Sequence, residues 1–281
     1  MSRVDGKVAI VSGAARGLGE AMCVRLAEQG ACVVVTDIDE SGAQKVADNI
    51  GANAVGMKLD VASEAEWSTV IDAAVAHFGK VNVVVNNAGL IQVATVEDET
   101  EAGFRRVMSV MCDGVFFGMK HGIRAIKAAN EPGSIINLSS VAAECGYSPY
   151  FSYSAAKGAV RSMSRSAAIH LQERSLPIRV NTILPGALGS NDGSHAMGAD
   201  LLAMVQGFVD RNGYPPSLSV PKGPGTEMFY PEGQPDDTKV GPGMGTADDA
   251  AWLVVYLASD ESKFINGTEI RVDNCASIQP V

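Results

Sequence analysis

Runs of consecutive apolar and mostly β-branched residues recur along the chain, at Val8–Val11, Cys32–Thr36, Ala54–Lys58, Val81–Val85, Ser134–Leu138 and Ile178–Leu184. Between them, stretches such as Glu20–Gln29, Ser41–Asn49 and Glu64–Phe78 repeat their apolar positions at helical intervals. A strand without polar alternation has no solvent face, so it must be covered by helices on both sides. Right-handed crossovers then give an α/β fold: a doubly wound parallel sheet of Rossmann type, about seven strands wide, with its ligand crevice beyond the carboxyl ends of the strands.

The pattern lapses once. Residues Gly186–Gly245 are dense in glycine and proline, with apolar side chains scattered through them. The helical period resumes at Asp248–Ala258 and a last strand follows at Thr268–Val272. The whole chain, 1–281, therefore reads as one domain, with 189–245 as a lid over the substrate before the last helix and strand. Within that lid His195 is a candidate substrate contact.

Composition narrows the picture. The chain has 281 residues, 46% of them hydrophobic, enough for a sizeable core. The net charge of −10 speaks against a nucleic-acid or anionic-membrane partner. No apolar run approaches the roughly 18 residues of a membrane span. The opening MSRVDGKVAIVSG places Arg3, Asp5 and Lys7 before the first strand, so a cytoplasmic location is expected. The five cysteines lack paired spacing and the histidines have no partners at ligand spacing, so no metal site is expected.

Candidate chemistry begins at the first strand-to-helix junction, Ser12-Gly13-Ala14-Ala15-Arg16-Gly17-Leu18-Gly19. Gly13 permits a tight turn, Gly17 a close approach of ligand to backbone, and Gly19 close packing of the helix. The N–H groups and positive end of that helix favour a pyrophosphate. The glycine spacing differs from the G-x-G-x-x-G dinucleotide fingerprint, so a ligand-free turn remains an alternative. Asp37, closing the second strand, shifts the balance. Its carboxylate suits the hydroxyls of an adenosine ribose and repels a 2′-phosphate, which favours NAD over NADP. Arg16 argues the other way, because an arginine can hold that phosphate.

Taken together, residues 5–280 resemble the short-chain dehydrogenase/reductase family. The resemblance rests on Ser12-Gly13-x-x-x-Gly17-x-Gly19, Asp60-Val61, Asn86-Asn87-Ala88-Gly89, Ser140 with Tyr153-x-x-x-Lys157, and Pro185-Gly186. It implies that Leu18 joins the glycines in the cofactor loop and that Asp60 and Val61 hold the adenine. It also implies that Asn87, Ala88 and Gly89 line the cofactor, and that Pro185, Gly186 and Leu188 flank the nicotinamide. Tyr153 and Lys157 are one helical turn apart and share a face. A tyrosine pKa of about 10 is too high for a base near neutrality. A lysine cation and an oxidised nicotinamide beside it favour phenolate. Tyr153 could then take the proton of a substrate hydroxyl, with Ser140 orienting the substrate oxygen. Ser139 is the neighbouring alternative, but the family's spacing selects Ser140.

The implied activity is an NAD-dependent interconversion of a secondary alcohol and its ketone. Glu269–Asn274 and Ser63–Trp67 look like bacterial hydroxysteroid dehydrogenases, which implies a bulky apolar, cyclic substrate. An NADPH-dependent carbonyl reductase and a cofactor-binding regulator are the alternatives. One position departs from the pattern. Met111 stands where the family usually has an asparagine, which is thought to hold open a helix bend whose main-chain carbonyl positions a proton-feeding water. Methionine is only a weak acceptor, so this relay is expected to be impaired without being lost. Broad apolar faces over Glu101–Ala129 (Val107, Val110, Phe117, Ile123) and Ser152–Glu173 (Ala156, Val160, Met163, Ala167) suggest a homo-oligomer, a dimer or tetramer.

Overall fold

A computed structural model describes residues 2–186, 188–189, 245–275 and 277. Seven strands form one parallel sheet: β1 (Val8–Ser12), β2 (Cys32–Asp37), β3 (Ala54–Lys58), β4 (Val83–Asn86), β5 (Gly133–Leu138), β6 (Ile178–Pro185) and β9 (Glu269–Val272). Their spatial order is β3-β2-β1-β4-β5-β6-β9. β1, β4 and β5 are buried along their whole length, which is why their sequences show no alternation.

Helices α1 (Gly17–Glu28), α2 (Glu40–Ile50), α3 (Glu64–Phe78), α4 (Glu101–Met108), α5 (Gly114–Ala129), α6 (Phe151–Glu173) and α7 (Ala247–Ala258) join these strands. One core cluster packs β1, β2 and β4 against α1, α2 and α7, and the other packs the opposite side residues against α3, α5 and α6. Local signals place the helix ends. Ser63 caps α3 by accepting from the Glu66 N–H, and Gly79 closes it in the left-handed conformation at φ 84°.

From β1 the chain runs outward to β3 and then returns to β4 on the other side of β1. The strand order reverses between β1 and β4, and a ligand crevice forms beyond their carboxyl ends. The loops after β5 and β6 border the same end.

The helix expected over Glu101–Ala129 is interrupted: Ser109–Asp113 forms a π-helical turn, with the Gly114 N–H donating to Ser109 O. The apolar positions expected to pair subunits are largely covered within the chain. Val107, Ala156 and Val160 are fully buried, and Val110, Phe117, Ile123, Met163 and Ala167 pack partly against the core. The lid expected over 189–245, with His195, lies outside the described residues apart from its ends. There, β7 (Leu188–Gly189) pairs in parallel with β8 (Gly245–Thr246). Among the described residues no helix is long and apolar enough to cross a membrane, and no three potential metal ligands cluster.

Candidate active site

The glycine turn is held by geometry that other residues cannot copy. Gly13 and Gly17 lie in the left-handed region, at φ 65° and 62°. A Cβ on Gly13 would sit 2.6 Å from Ala88 Cα. A Cβ on Gly19 would strike Gly13 O and come within 2.7 Å of Asn87 Nδ2. Asn87 is the staple of this turn: its side-chain amide donates to Ser12 O and Gly13 O, both at 2.9 Å. The Ser12 hydroxyl in turn accepts from the N–H groups of Asn87 and Ala88 at 3.1 and 3.2 Å. Asn87, expected to line a cofactor, thus spends its amide on holding the turn. Among the described residues no side chain caps α1, so the positive end of this helix faces the crevice ready for an anion. Arg16, at its N-cap, is exposed, and Leu18 packs against the core.

Asp37 ends β2 beside this turn. Its Oδ2 accepts from the Ala15 N–H at 3.1 Å and its Oδ1 from the Asp39 N–H at 3.0 Å. Each oxygen keeps further acceptor capacity. After β3, the Asp60 N–H donates to Glu66 Oε2 at 2.8 Å and the Trp67 indole to Val61 O at 3.1 Å. Glu66 and Trp67 therefore fix the Asp60-Val61 turn, a role that no local feature of the sequence marked. At the end of β6, Gly186 donates to Val272 O at 2.9 Å, and a Cβ there would lie 2.9 Å from Asp273 Cα. This close backbone contact ties Pro185-Gly186 to the last strand. Leu188 is buried just beyond it.

The catalytic candidates come from β5 and α6. Ser139 and Ser140 end up doing different things. The Ser139 hydroxyl donates to Lys157 O at 2.8 Å, a bond between loop and helix backbone. Ser140 accepts from the Ala142 N–H at 3.1 Å and hydrogen-bonds the Tyr153 phenol. Lys157 is 5% exposed, donates to Leu138 O at 2.7 Å, and its Nζ lies 5.6 Å from the centre of the Tyr153 ring. Burial pushes the Lys157 ammonium down to about 8. Burial also raises the Tyr153 phenol, while the hydrogen bond from Ser140 pulls it back and the neighbouring Tyr150 raises it further.

Met111 is fully buried and packs with Val107, Ala156 and Tyr153. A Cβ on Gly89 would lie 3.2 Å from Met111 Sδ and 3.7 Å from Lys157 Nζ. The thioether and the ammonium therefore share one wall of the site. The helix bend survives without an asparagine, because the π turn itself carries Met111 inward.

The fold and this site together define a Rossmann-type dinucleotide-binding protein. A glycine turn that a side chain would fill, an uncapped helix N-terminus and an acceptor at the tip of β2 fit a nicotinamide dinucleotide. The family described as short chain dehydrogenase matches residues 7–196. The chain is 37% identical to the NADP-dependent (R)-specific alcohol dehydrogenase of Lentilactobacillus kefiri, over 96% of each chain. It is 34% identical to the 3-beta-hydroxysteroid dehydrogenase of Comamonas testosteroni, over 97% of this chain and 96% of that one. It is 32% identical to the trans-4-hydroxycyclohexanecarboxylate dehydrogenase of Sinomonas cyclohexanicum, over 96% and 93%. This chain belongs to the short chain dehydrogenase family, and it is an oxidoreductase that works with a nicotinamide cofactor.

Proposed function

We propose that this protein is a cytoplasmic, NAD-dependent secondary-alcohol dehydrogenase for bulky alicyclic substrates, built as one catalytic domain. The observation that carries the reading is the grouping of Ser140, Tyr153 and Lys157 at the crevice end of the sheet. Relatives named for an alcohol, a hydroxysteroid and a hydroxycyclohexane carboxylate support the substrate class.

The bound nicotinamide would supply the hydride acceptor for oxidation and the donor for reduction. Gly13, Gly17, Leu18, Gly19 and the N-terminus of α1 hold its pyrophosphate, and Asp37 accepts from the adenosine ribose. Asp60 and Val61 border the adenine, Ala88 and Gly89 line the cleft, and Pro185, Gly186 and Leu188 border the nicotinamide. Tyr153 takes the proton from the substrate hydroxyl in oxidation and returns it in reduction. Ser140 holds the substrate oxygen and favours the phenolate. Lys157 lends its positive charge to the same end, with Met111 and Gly89 beside its ammonium.

The cofactor choice rests on Asp37. The exposed Arg16 and the NADP-dependent relative favour the opposite choice. The exposed Phe116 on α5 and Phe151 and Ile169 on α6 support assembly with further copies of the chain. Incubating the protein with NAD⁺ and then NADP⁺ over a panel of alicyclic secondary alcohols, with reduced nicotinamide followed by absorbance, tests the reading directly. Turnover with NAD⁺ that disappears in Tyr153→Phe is the expected result, and a Tyr153→Phe enzyme of normal activity would refute it. Light scattering that returns a monomer would refute the assembly.

A further inference from the structure

Five charged side chains alternate in sign across the back of the catalytic loop, from Arg165 through Glu269, Arg161 and Glu144 to Arg271. Arg165 Nη2 contacts Glu269 Oε1 at 2.8 Å. Arg161 donates to Glu269 Oε2 through Nε at 3.0 Å and Nη2 at 2.6 Å. The same Nη2 donates to Glu144 Oε1 at 3.1 Å. Arg271 completes the chain with a bidentate pair to Glu144, at 2.6 and 3.0 Å. The inner members are well covered, at 19%, 19% and 13% side-chain exposure for Arg161, Glu144 and Glu269.

These side chains come from three elements. Arg161 and Arg165 are on α6, the helix of Tyr153 and Lys157. Glu144 follows the short turn Val141–Ala143 that begins at Ser140. Glu269 and Arg271 are on β9, whose end receives Gly186. Arg161 has one further bond, from Nη1 to Ala143 O at 2.9 Å. A single guanidinium on the Tyr153 helix therefore grips both the backbone and the side chain of the Ser140 turn. Isolated surface ion pairs contribute little, but a shielded network with bidentate arginines adds geometric definition as well as energy.

We infer that Arg161, with Glu144 and Glu269, is a positioning residue that fixes the Ser140 hydroxyl against the Tyr153 phenol. This rests on the proposed roles of Ser140 and Tyr153. Among the described residues, the groups facing that phenol are Ser140 from the turn, Tyr150 and Lys157 from its own helix region, and the uncharged Met111 from the π turn. Of these, Ser140 lowers the phenol's pKa, so a Ser140 that drifts leaves a phenol that ionises only at higher pH.

The test measures alcohol oxidation against pH for wild type, Arg161→Met, Ser140→Ala and the double variant, with a cyclohexanol and a 3-hydroxysteroid as probes. Binding of the reduced cofactor is followed by its fluorescence. Arg161→Met should lower kcat about tenfold or more, as a displacement of well under an ångström near reacting atoms can. It should move the pH rise upward and leave cofactor affinity within about twofold. On the Ser140→Ala background the same change should add little, because its effect runs through Ser140. Arg161→Lys should recover part of kcat. Arg271→Met, at a half-exposed residue that pairs with Glu144, reads the same shift at smaller amplitude if Arg161→Met does not fold. Full additivity with Ser140→Ala, or a lowered Tm with an unmoved kcat and pH profile, would overturn the inference while leaving the proposed reaction intact. A Ser140→Ala enzyme as active as wild type would overturn both.

Discussion

The two halves of the crevice are held together by different means. At the β1–α1 turn, backbone does the work: left-handed glycines, an uncapped helix end, and carbonyls gripped by one asparagine. At the β5–α6 side, long side chains do it: a lysine reaching back to Leu138 O, and arginines crossing to β9 and to the Ser140 turn. Backbone geometry restricts the residue at each step to one or two types, so it leaves a fixed spacing. Side-chain bridges join Arg161 to Glu269 and Arg271 to Glu144 across more than a hundred residues, and leave no spacing at all.

The comparison predicts that damage on the two sides will differ in kind. The largest effect belongs to the catalytic side. Tyr153→Phe should cut kcat by about 10³-fold, within the range for a positioned acid–base group, while cofactor binding persists. Concurrent loss of both would show that the two sides do not act separately. Gly13→Ala on the cofactor side should do the reverse. Its φ of 65° and the approach to Ala88 leave no room for a methyl group. Cofactor affinity should fall by about 100-fold, the upper range for a strained left-handed residue, measured by fluorescence titration. Unchanged affinity would mean that the turn is only structural.

Asp37→Ala should lower the NAD-over-NADP ratio of kcat/KM by about tenfold, roughly 1.4 kcal/mol, by removing ribose acceptors and the repulsion of a 2′-phosphate. A wild type that already prefers NADP would show that Arg16 outweighs Asp37. A smaller effect concerns Lys157. Its pKa in the folded protein, about 8, lies below that of the unfolded chain, so the buried ammonium costs stability at pH below 8. That cost fades as pH rises from about 8 toward 10.5, where the folded state binds fewer protons than the unfolded one. Thermal unfolding of the ligand-free protein should therefore lose part of its pH dependence in Lys157→Met over that window. The smallest change is expected of Met111→Asn, which gives the ammonium a polar neighbour. The pKa of Lys157 should rise and kcat should stay at or above wild type. A sharp drop in kcat would mean that the thioether shapes the substrate pocket.

The same contrast explains what could be read in the sequence. The parallel sheet was legible because burial and helical period dictate it locally; the glycine turn and Asp37 stood out by their places at strand ends, and the Tyr153–Lys157 pair by its resemblance to the family's motif. β3 and α3 match their expected bounds, Ala54–Lys58 and Glu64–Phe78. α1 starts three residues earlier than its apolar period suggested, at Gly17, because the glycines enter its first turn. Asn87 is expected to line the cofactor, and no local signal marked that its amide also holds the turn. Ser139 and Ser140 could not be separated by residue type; the family's spacing selected Ser140, and the different partners of the two hydroxyls agree with that choice. The Arg161 network was not legible in the sequence, since nothing local marks an ion pair between distant elements.

The π turn at Ser109–Asp113 sets the phase of the rod from Glu101 to Ala129. Val107, Met111, Val115 and Met119 are all buried, and each follows the last by four positions. An α-helix turns once in 3.6 residues, so a stripe built from steps of four winds steadily around its surface. One wider turn takes up that slippage and brings Val115 and Met119 back toward the sheet. Removing a single residue between Ser109 and Asp113 would relax the rod into a continuous α-helix, and because the π turn already absorbs one extra residue the faces beyond it would keep their direction. Gly118, where a Cβ would press on Asn86 and Trp67, would then stay in its slot. A one-residue deletion here should therefore leave α5 in place and act on the Met111 wall of the site, whereas a deletion within α5 itself would turn everything beyond it by about 100°.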